Sequence, residues 1–307
     1  MRIPAGVRVG ACTHTGVVRV HNEDDYLVGT VGQGDDALLL CGIADGIGGA
    51  AGGAEASRTA LHGLGAAVLD ASLTTDAEAR LRAGFDAAAE RLAEQATAVP
   101  FLREMGTTLT AMLLGRGRVV VGHVGDTRLY RLTGGRLEQV TEDHAAREPD
   151  NVLLRWVGGG QRRVEADFTA LTTAPGERWL LLSDGIWSVV TEAELSRLAR
   201  GGDPNAAAAA LVARALDGGG PDNATAVVVE VAPAGATEVS AELPRDERPR
   251  SRDRWPRARS LQAPWWPWLV FALALALGGG LLLQRVWGID VWSARFWERD
   301  LWSWIVG

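Results

Sequence analysis

The chain has no lysine: every one of its 31 basic residues is arginine. The Gly-Lys-Ser/Thr ending of a P-loop is therefore absent. Cysteine is scarce, with only Cys12 and Cys41, each inside an apolar strand-like run. No CxxC pair or histidine cluster accompanies them, so two buried thiols are expected in place of a disulfide or a zinc site. Residues 1–20 lack an apolar h-region, and no cleavable signal peptide is expected. A basic surplus is missing as well, since a net charge of −7 runs against a nucleic-acid footprint.

What is present is an ordinary core and an unusual appendage. The 307 residues are 47% hydrophobic, enough for one large or two small domains. Strand signals fall at 7–12, 26–31, 38–44, 107–114, 119–124 and 128–132, and Gly134-Gly135 reads as a hairpin turn into 136–140. Helices are expected over 54–73 and 75–99, the second opened by Thr75-x-x-Glu78, and another opens at Thr191-x-x-Glu194; both patterns are capping boxes. Short hairpins imply antiparallel sheets, and consecutive helices imply separate helical layers, which makes the fold class α+β.

From residue 233 the composition changes. Residues 233–263 are rich in Pro, Ala, Ser and Arg and read as a disordered linker, with seven arginines against three acids over 245–259. Residues 261–284 carry no charge, and the apolar body 265–283 would span roughly 28 Å as a helix, close to a bilayer core. Trp265, Trp266 and Trp268 before it and Trp287 after it match an interfacial aromatic belt. The expected organisation is a domain at 1–232, the linker at 233–263, one transmembrane helix at 264–286 and a Trp-rich outer tail at 287–307. The arginine excess before the span places the N-terminal domain in the cytoplasm of a single-pass membrane protein.

Chemistry is suggested by carboxylates at strand ends. Asp45-Gly46-Ile47-Gly48-Gly49 follows the apolar run 37–44, Ser183-Asp184-Gly185 follows 179–182, and Pro221-Asp222-Asn223 precedes 224–231. A strand end holds an acid rigidly while its head group leaves the core, and converging oxygens suit Mg²⁺ or Mn²⁺. Near the N-terminus, Arg19 stands four and five residues before Glu23 and Asp24. An arginine fork suits a phosphate oxyanion and the acids suit a cation, although a salt-bridged surface turn fits the same residues. Plain turns likewise fit Asp126-Thr127 and Asp184-Gly185.

In order along the chain, Gly16-x-x-Arg19-x-x-Asn22-Glu23-Asp24, Asp45-Gly46-Ile47-Gly48-Gly49, Gly106-Thr107-Thr108, Gly125-Asp126-Thr127-Arg128, Asp143-His144, Leu182-Ser183-Asp184-Gly185 and Asp222-Asn223-x-Thr225 resemble the metal-dependent serine/threonine protein phosphatases of the type-2C (PPM) family, in its bacterial membrane-anchored form. The resemblance covers about residues 7–231. It implies a four-layer α-β-β-α sandwich of two antiparallel sheets flanked by helix pairs, with two Mn²⁺ or Mg²⁺ ions at one edge. By the same resemblance Asp45 would bridge both ions, Asp184 and Asp222 would complete one site, and the Gly46 carbonyl with Glu23 and Asp24 would complete the other. Arg19 would hold the substrate phosphate, Asp126 would serve a third, weaker ion, and Asn223 would support Asp222 from behind. The implied reaction is hydrolysis of phosphoserine and phosphothreonine proteins by a metal-bridging water, opposing a bacterial Ser/Thr kinase. An action on a regulator of sigma factors or secretion, and a catalytically weak sensor or binding module on the same fold, are the alternatives.

Two departures stand out. Eukaryotic members often carry a histidine where Ile47 stands, proposed as the general acid, and isoleucine has no proton to give; His14, His21 and a metal-bound water are the substitutes on offer. Only ten residues separate Asp143-His144 from Arg155-Trp156-Val157-Gly158, where bacterial members carry a longer helical flap. A more open cleft is expected.

Overall fold

In β3 (Leu38–Ile47) both faces are apolar over most of the strand, and both are buried: Leu39, Cys41 and Ile43 point one way, Leu40 and Ala44 the other. A strand alternates its side chains, so burial on both faces requires a layer above and a layer below. The computed structural model supplies both layers and describes residues 3–47, 51–70, 76–99, 103–146, 152–158 and 160–232. The expected linker, span and tail (233–307) lie outside those residues. Among the described residues no helix is long and apolar enough to cross a membrane.

One sheet contains β2 (Asp24–Val31), β3, β4 (Gly106–Thr107), β5 (Leu109–Gly115), β6 (Arg118–Val124), β11 (Val157–Gly158) and β12 (Asp167–Thr172). Its order is β11-β4-β3-β5-β6-β12, with β2 paired to β3. The other runs β1-β14-β13-β7-β8, from β1 (Val7–His14), β14 (Ala224–Val231), β13 (Arg178–Leu182), β7 (Arg128–Thr133) and β8 (Arg136–Gln139). Every pairing is antiparallel. Helices α1 (Ala51–Leu69) and α2 (Ala77–Ala98) pack on the first sheet through Leu64, Leu81, Phe85 and Leu92. Helices α3 (Asp184–Trp187), α4 (Glu192–Ala199) and α5 (Pro204–Asp217) pack on the second through Ile186, Leu195, Leu211 and Val212. Between the sheets Val9, Ile43, Met112, Trp179, Leu181 and Val229 close the central layer. The result is the four-layer α-β-β-α sandwich anticipated for 1–232.

Local differences have physical causes. The strand expected over 107–114 is broken at Thr108, whose N–H donates to the Asp45 carbonyl at 2.9 Å and whose hydroxyl accepts from the Asp45 N–H at 2.9 Å. Helix α2 begins later than expected: Asp76, not Thr75, is its N-cap, accepting from the Ala79 N–H at 3.2 Å. The capping box at Thr191 and Glu194 is present. Helix α5 was not anticipated, although Asp203-Pro204 is a start signal and Asp203 does cap it. Cys12 and Cys41 are free, but only Cys41 is fully buried. Where a helical flap was expected to be shortened, β9 (Ala145–Ala146) and β10 (Val152–Leu153) form a two-stranded hairpin.

Candidate active site

The face between the sheets turns from apolar to polar at one end, in five strands at once. Along β3 the inward residues run Leu39, Cys41, Ile43 and then Asp45, while β2, antiparallel to it, reaches Asp24 after Val28 and Tyr26. On the opposing sheet β1 runs Val9, Ala11, Thr13; β14, read backwards, runs Val229, Val227, Thr225; and β13 runs Trp179, Leu181, Ser183. Period-two alternation thus delivers two carboxylates and three hydroxyls to the same edge.

Asp24 and Asp45 are direct cross-strand partners. Oδ2 of Asp24 accepts from Ser183 Oγ and from Thr225 Oγ1, each at 2.7 Å, which ties the two sheets together. Thr225 is itself met by Thr13 at 2.7 Å, and Thr13 accepts from Asn22 Nδ2 at 2.9 Å. Oδ1 of Asp24 is buried without a partner among the described residues. Asp184 follows Ser183 as the first residue of α3, and its Oδ1 is also buried without a hydrogen bond. Buried orphan oxygens are rare in folded proteins, and an ion or an ordered water is what satisfies them.

Asp45 is held through its main chain, since Thr107 Oγ1 donates to its carbonyl at 2.8 Å and Thr108 bonds it on both sides. This is the structural work of the Gly106-Thr107-Thr108 motif, to which the sequence alone assigned no role. Gly46 follows, with its N–H on the Glu23 carbonyl at 3.1 Å. A Cβ there would stand 2.2 Å from the Gly53 carbonyl oxygen, so only glycine brings this backbone against the start of α1.

The loop 15–23 is strapped over the same edge. Gly16 has φ +85, and a Cβ would meet the Asp222 carbonyl oxygen at 2.2 Å; Val17 N–H donates to the Gly220 carbonyl at 2.8 Å. Arg19 Nη2 donates to Asp222 Oδ2 at 2.6 Å. Asn223 was expected to support Asp222, but its side chain serves the loop instead. Its Oδ1 accepts from the Glu23 N–H at 2.8 Å, and its Nδ2 donates to the Thr15 and His21 carbonyls at 2.7 and 2.9 Å. Its only bond to Asp222 is from its main-chain N–H to Oδ1, at 2.8 Å.

Asp126 enters from the loop between β6 and β7. The Gly125 N–H donates to His144 Nδ1 at 3.2 Å, and the His144 N–H returns to the Gly125 carbonyl at 2.7 Å. His144 Nε2 then carries the ring proton and donates to Asp167 at 2.9 Å. Arg128 locks the far side of the loop by a forked pair with Asp143 and by stacking on Trp187 at 3.5 Å.

The electrostatics follow from acids gathered with one exposed cation. Asp24 is pushed up to about 7, first by burial and then by Asp184 and Asp222, against the pull of its two hydroxyl donors. Asp126 also rises to about 7, through burial, Asp184 and Asp143. Asp45 is raised well above the usual carboxylate range by burial and by Asp24, Asp184, Asp126 and Asp222. Asp184 is raised by burial and Asp222, with a hydrogen bond to Asp45 acting the other way, and Glu23 is raised by burial. Each of these acids feels at least one neighbouring acid as a like charge, while Glu23 also feels Arg19 and His21 as opposite charges.

Among the described residues no three of these side chains close around a single point as a ready coordination shell. Asp222 is turned to Arg19. The donor set still fits divalent cations: it is all oxygen, it is strongly anionic, and two of its buried oxygens have no partner. Of the two histidines offered in place of Ile47, His14 accepts the Gly16 N–H on Nδ1 at 2.9 Å, and His21 lies close enough to Glu23 to pull its carboxyl pKa down, against the upward push of burial. Ile47 lies at the end of β3, opposite Gly106.

A family model described as protein phosphatase 2C matches residues 17–216. The chain is 33% identical over 246 residues to the serine/threonine protein phosphatase PstP of Mycobacterium tuberculosis, covering 75% of this chain and 46% of that protein. It thus spans about half the length of that curated relative. Against the serine/threonine phosphatase stp of Listeria welshimeri it is 32% identical over 203 residues, covering 60% of this chain and 79% of the relative. Among solved structures, the catalytic domain of PstP in complex with two manganese ions superposes with a TM-score of 0.66 at 33% identity, covering 74% of this chain and 99% of that one.

Proposed function

We propose, because this chain belongs to the protein phosphatase 2C family, that it is a metal-dependent serine/threonine phosphoprotein phosphatase opposing a bacterial Ser/Thr kinase. The observation that carries the reading is the convergence of Asp24, Asp45, Asp126, Asp184 and Asp222 at one sandwich edge, with unpartnered oxygens on Asp24 and Asp184.

Asp45, Asp184 and Asp222, with Glu23, Asp24 and the Gly46 carbonyl, would hold two Mn²⁺ or Mg²⁺ ions, and Asp126 a third. Bound ions of this kind lower the pKa of a water and neutralise charge on a phosphoryl group. The chain's own residues do the rest. Ser183 and Thr225 hold Asp24 at a fixed angle, Thr107 and Thr108 hold Asp45, and Asn223 holds the loop that carries Arg19 and Glu23. Arg19 would exchange Asp222 for the substrate phosphate, a charge-assisted contact of the same geometry. Ile47 offers no proton to the leaving seryl oxygen, which leaves His21 and His14 as the titratable side chains on the strapped loop side.

The experiment is hydrolysis of p-nitrophenyl phosphate and a phosphothreonine peptide by the full chain. Turnover with Mn²⁺ and none in excess EDTA is expected; equal rates in both would end the two-metal reading.

We further propose that 264–286 anchors the chain in the cell membrane, with 1–232 on the cytoplasmic side, joined through 233–263, and with 287–307 outside. The support is the uncharged run 261–284, its bracketing tryptophans and the arginine excess before it. Deleting 264–307 should move the protein from the membrane fraction to the soluble one. Full-length protein found soluble after a high-salt wash would contradict the anchor.

A further inference from the structure

Seven large hydrophobic side chains are exposed among the described residues, and six of them stand on two short segments: Val17, Val18 and Val20 on one, Val152, Leu154 and Trp156 on the other. Val20 is 85% exposed and Leu154 is 63%. Exposed apolar residues scattered singly need no explanation, but six gathered on two segments do.

Both segments border the acid cluster. Val18 and Val20 are the chain neighbours of Arg19, whose guanidinium reaches Asp222, and Val17 and Val18 are fixed by N–H bonds to the Gly220 carbonyl. On the other side, the Leu154 N–H donates to the His144 carbonyl at 2.7 Å, and His144 in turn clasps Gly125 beside Asp126. Trp156 lies over Gly106, the cross-strand partner of Ile47 at the end of β3. One border is thus linked to Asp222 through Arg19, and the other to Asp126 through His144 and Gly125 and to the end of β3 through Gly106.

We propose that these two borders recognise apolar side chains immediately flanking the phosphorylated residue of a protein substrate. The inference rests on the phosphatase reading. A phosphoserine or phosphothreonine whose phosphate sits at the acids must carry its own chain directly above them. In an extended segment the residues one and two places away lie within about 7 Å on either side, so they fall on whatever borders the acids. Here that is aliphatic and aromatic surface, which gains by burying apolar area.

The test uses the full chain with Mn²⁺ and three probes: p-nitrophenyl phosphate, which has no flanks, and two phosphothreonine nonapeptides identical except for Val or Leu against Ser at positions −1, +1 and +2. The wild type should favour the apolar peptide by about tenfold or more in kcat/KM, as expected for apolar groups entering apolar sites. The double substitution V20S/L154S should erase that preference while p-nitrophenyl phosphate turnover stays within about twofold. Each single substitution should remove part of it. Equal kcat/KM for the two peptides in the wild type would overturn the proposal, as would a double variant that keeps the preference. Self-association of the wild type that is lost in the double variant, with no peptide preference, would assign the borders to a second copy of the chain and overturn it too. No turnover of p-nitrophenyl phosphate by the wild type is a different failure, that of the phosphatase reading itself.

Discussion

Asp24 faces Asp45 directly across the β2–β3 ladder, and burial drives both carboxyls toward the neutral form. Holding two adjacent carboxyls out of water costs stability, first through lost hydration and then through their mutual charge, and a bound divalent cation would offset that cost. Asp45→Asn should therefore raise the melting temperature of the metal-free protein, by about 2–4 °C if the relieved burial and charge cost is about 1 kcal/mol. Mn²⁺ should stabilise the wild type further, as any ligand of the folded state does, and stabilise Asp45→Asn much less. Thermal melts of both proteins with and without Mn²⁺ check this, and an Asp45→Asn protein less stable than wild type in EDTA would place the cost elsewhere.

Arg19 is exposed and, among the described residues, bonded to Asp222 alone, so its loss removes no core packing. Arg19→Ala should mainly raise KM, lowering kcat/KM by about 1.5–3 kcal/mol, the range for a charged hydrogen bond. Steady-state kinetics with a phosphothreonine peptide decide it; an unchanged kcat/KM would put Arg19 outside the site.

Asn223 satisfies one N–H and two carbonyls of the loop 15–23 from a buried position. Asn223→Ala strands all three groups and should cost at least about 2 kcal/mol in denaturant unfolding. Activity should fall as well, because Arg19 and Glu23 ride on that loop. A variant as stable as the wild type would show that the loop is held by other means.

His123 is buried between Thr110, whose Oγ1 meets its Nδ1 at 2.8 Å, and the Glu142 carbonyl, which accepts from Nε2 at 3.0 Å. Burial and the neighbouring His144 pull its pKa down from 6.5 to about 4, while Asp143 and Asp167 act the other way. A histidine depressed in the folded state favours folding fully above the unfolded pKa. That contribution, on the order of 3 kcal/mol, should be lost as pH falls from about 6.5 to 4. Urea unfolding across that range should show stability dropping with acidity, more steeply than in His123→Gln. Parallel slopes for the two proteins would remove His123 from the account.

Much of the site was legible because its acids follow or precede unmistakable strands: 38–44, 179–182 and 224–231 each deliver an aspartate. The hydroxyls were less so. Thr13, Ser183 and Thr225 are ordinary residues until the strand register is known, although each continues the odd-numbered inward series of its own strand. Thr108 could not be read as a break, because its neighbours suit a strand and only the Asp45 main chain across the sheet diverts it. For Asn223 the resemblance implies support of Asp222, which its main-chain N–H gives, while the role of its side chain is not legible until the fold brings Thr15, His21 and Glu23 to its amide. β12 was missed because its residues alternate poorly, lying as it does on an edge with much of its surface exposed.

The central claim is that this edge of the sandwich is a divalent-cation site, and equilibrium Mn²⁺ binding to the full chain, followed by the resonance of free Mn²⁺, tests it without reference to activity. Saturable uptake of about two ions per chain is expected, the number held by the matched PstP catalytic domain and suited to a paired-metal hydrolase. Asp222→Asn should weaken one of them and Asp45→Asn both. No saturable binding, or binding indifferent to the Asp45→Asn, Asp222→Asn double substitution, would contradict the account.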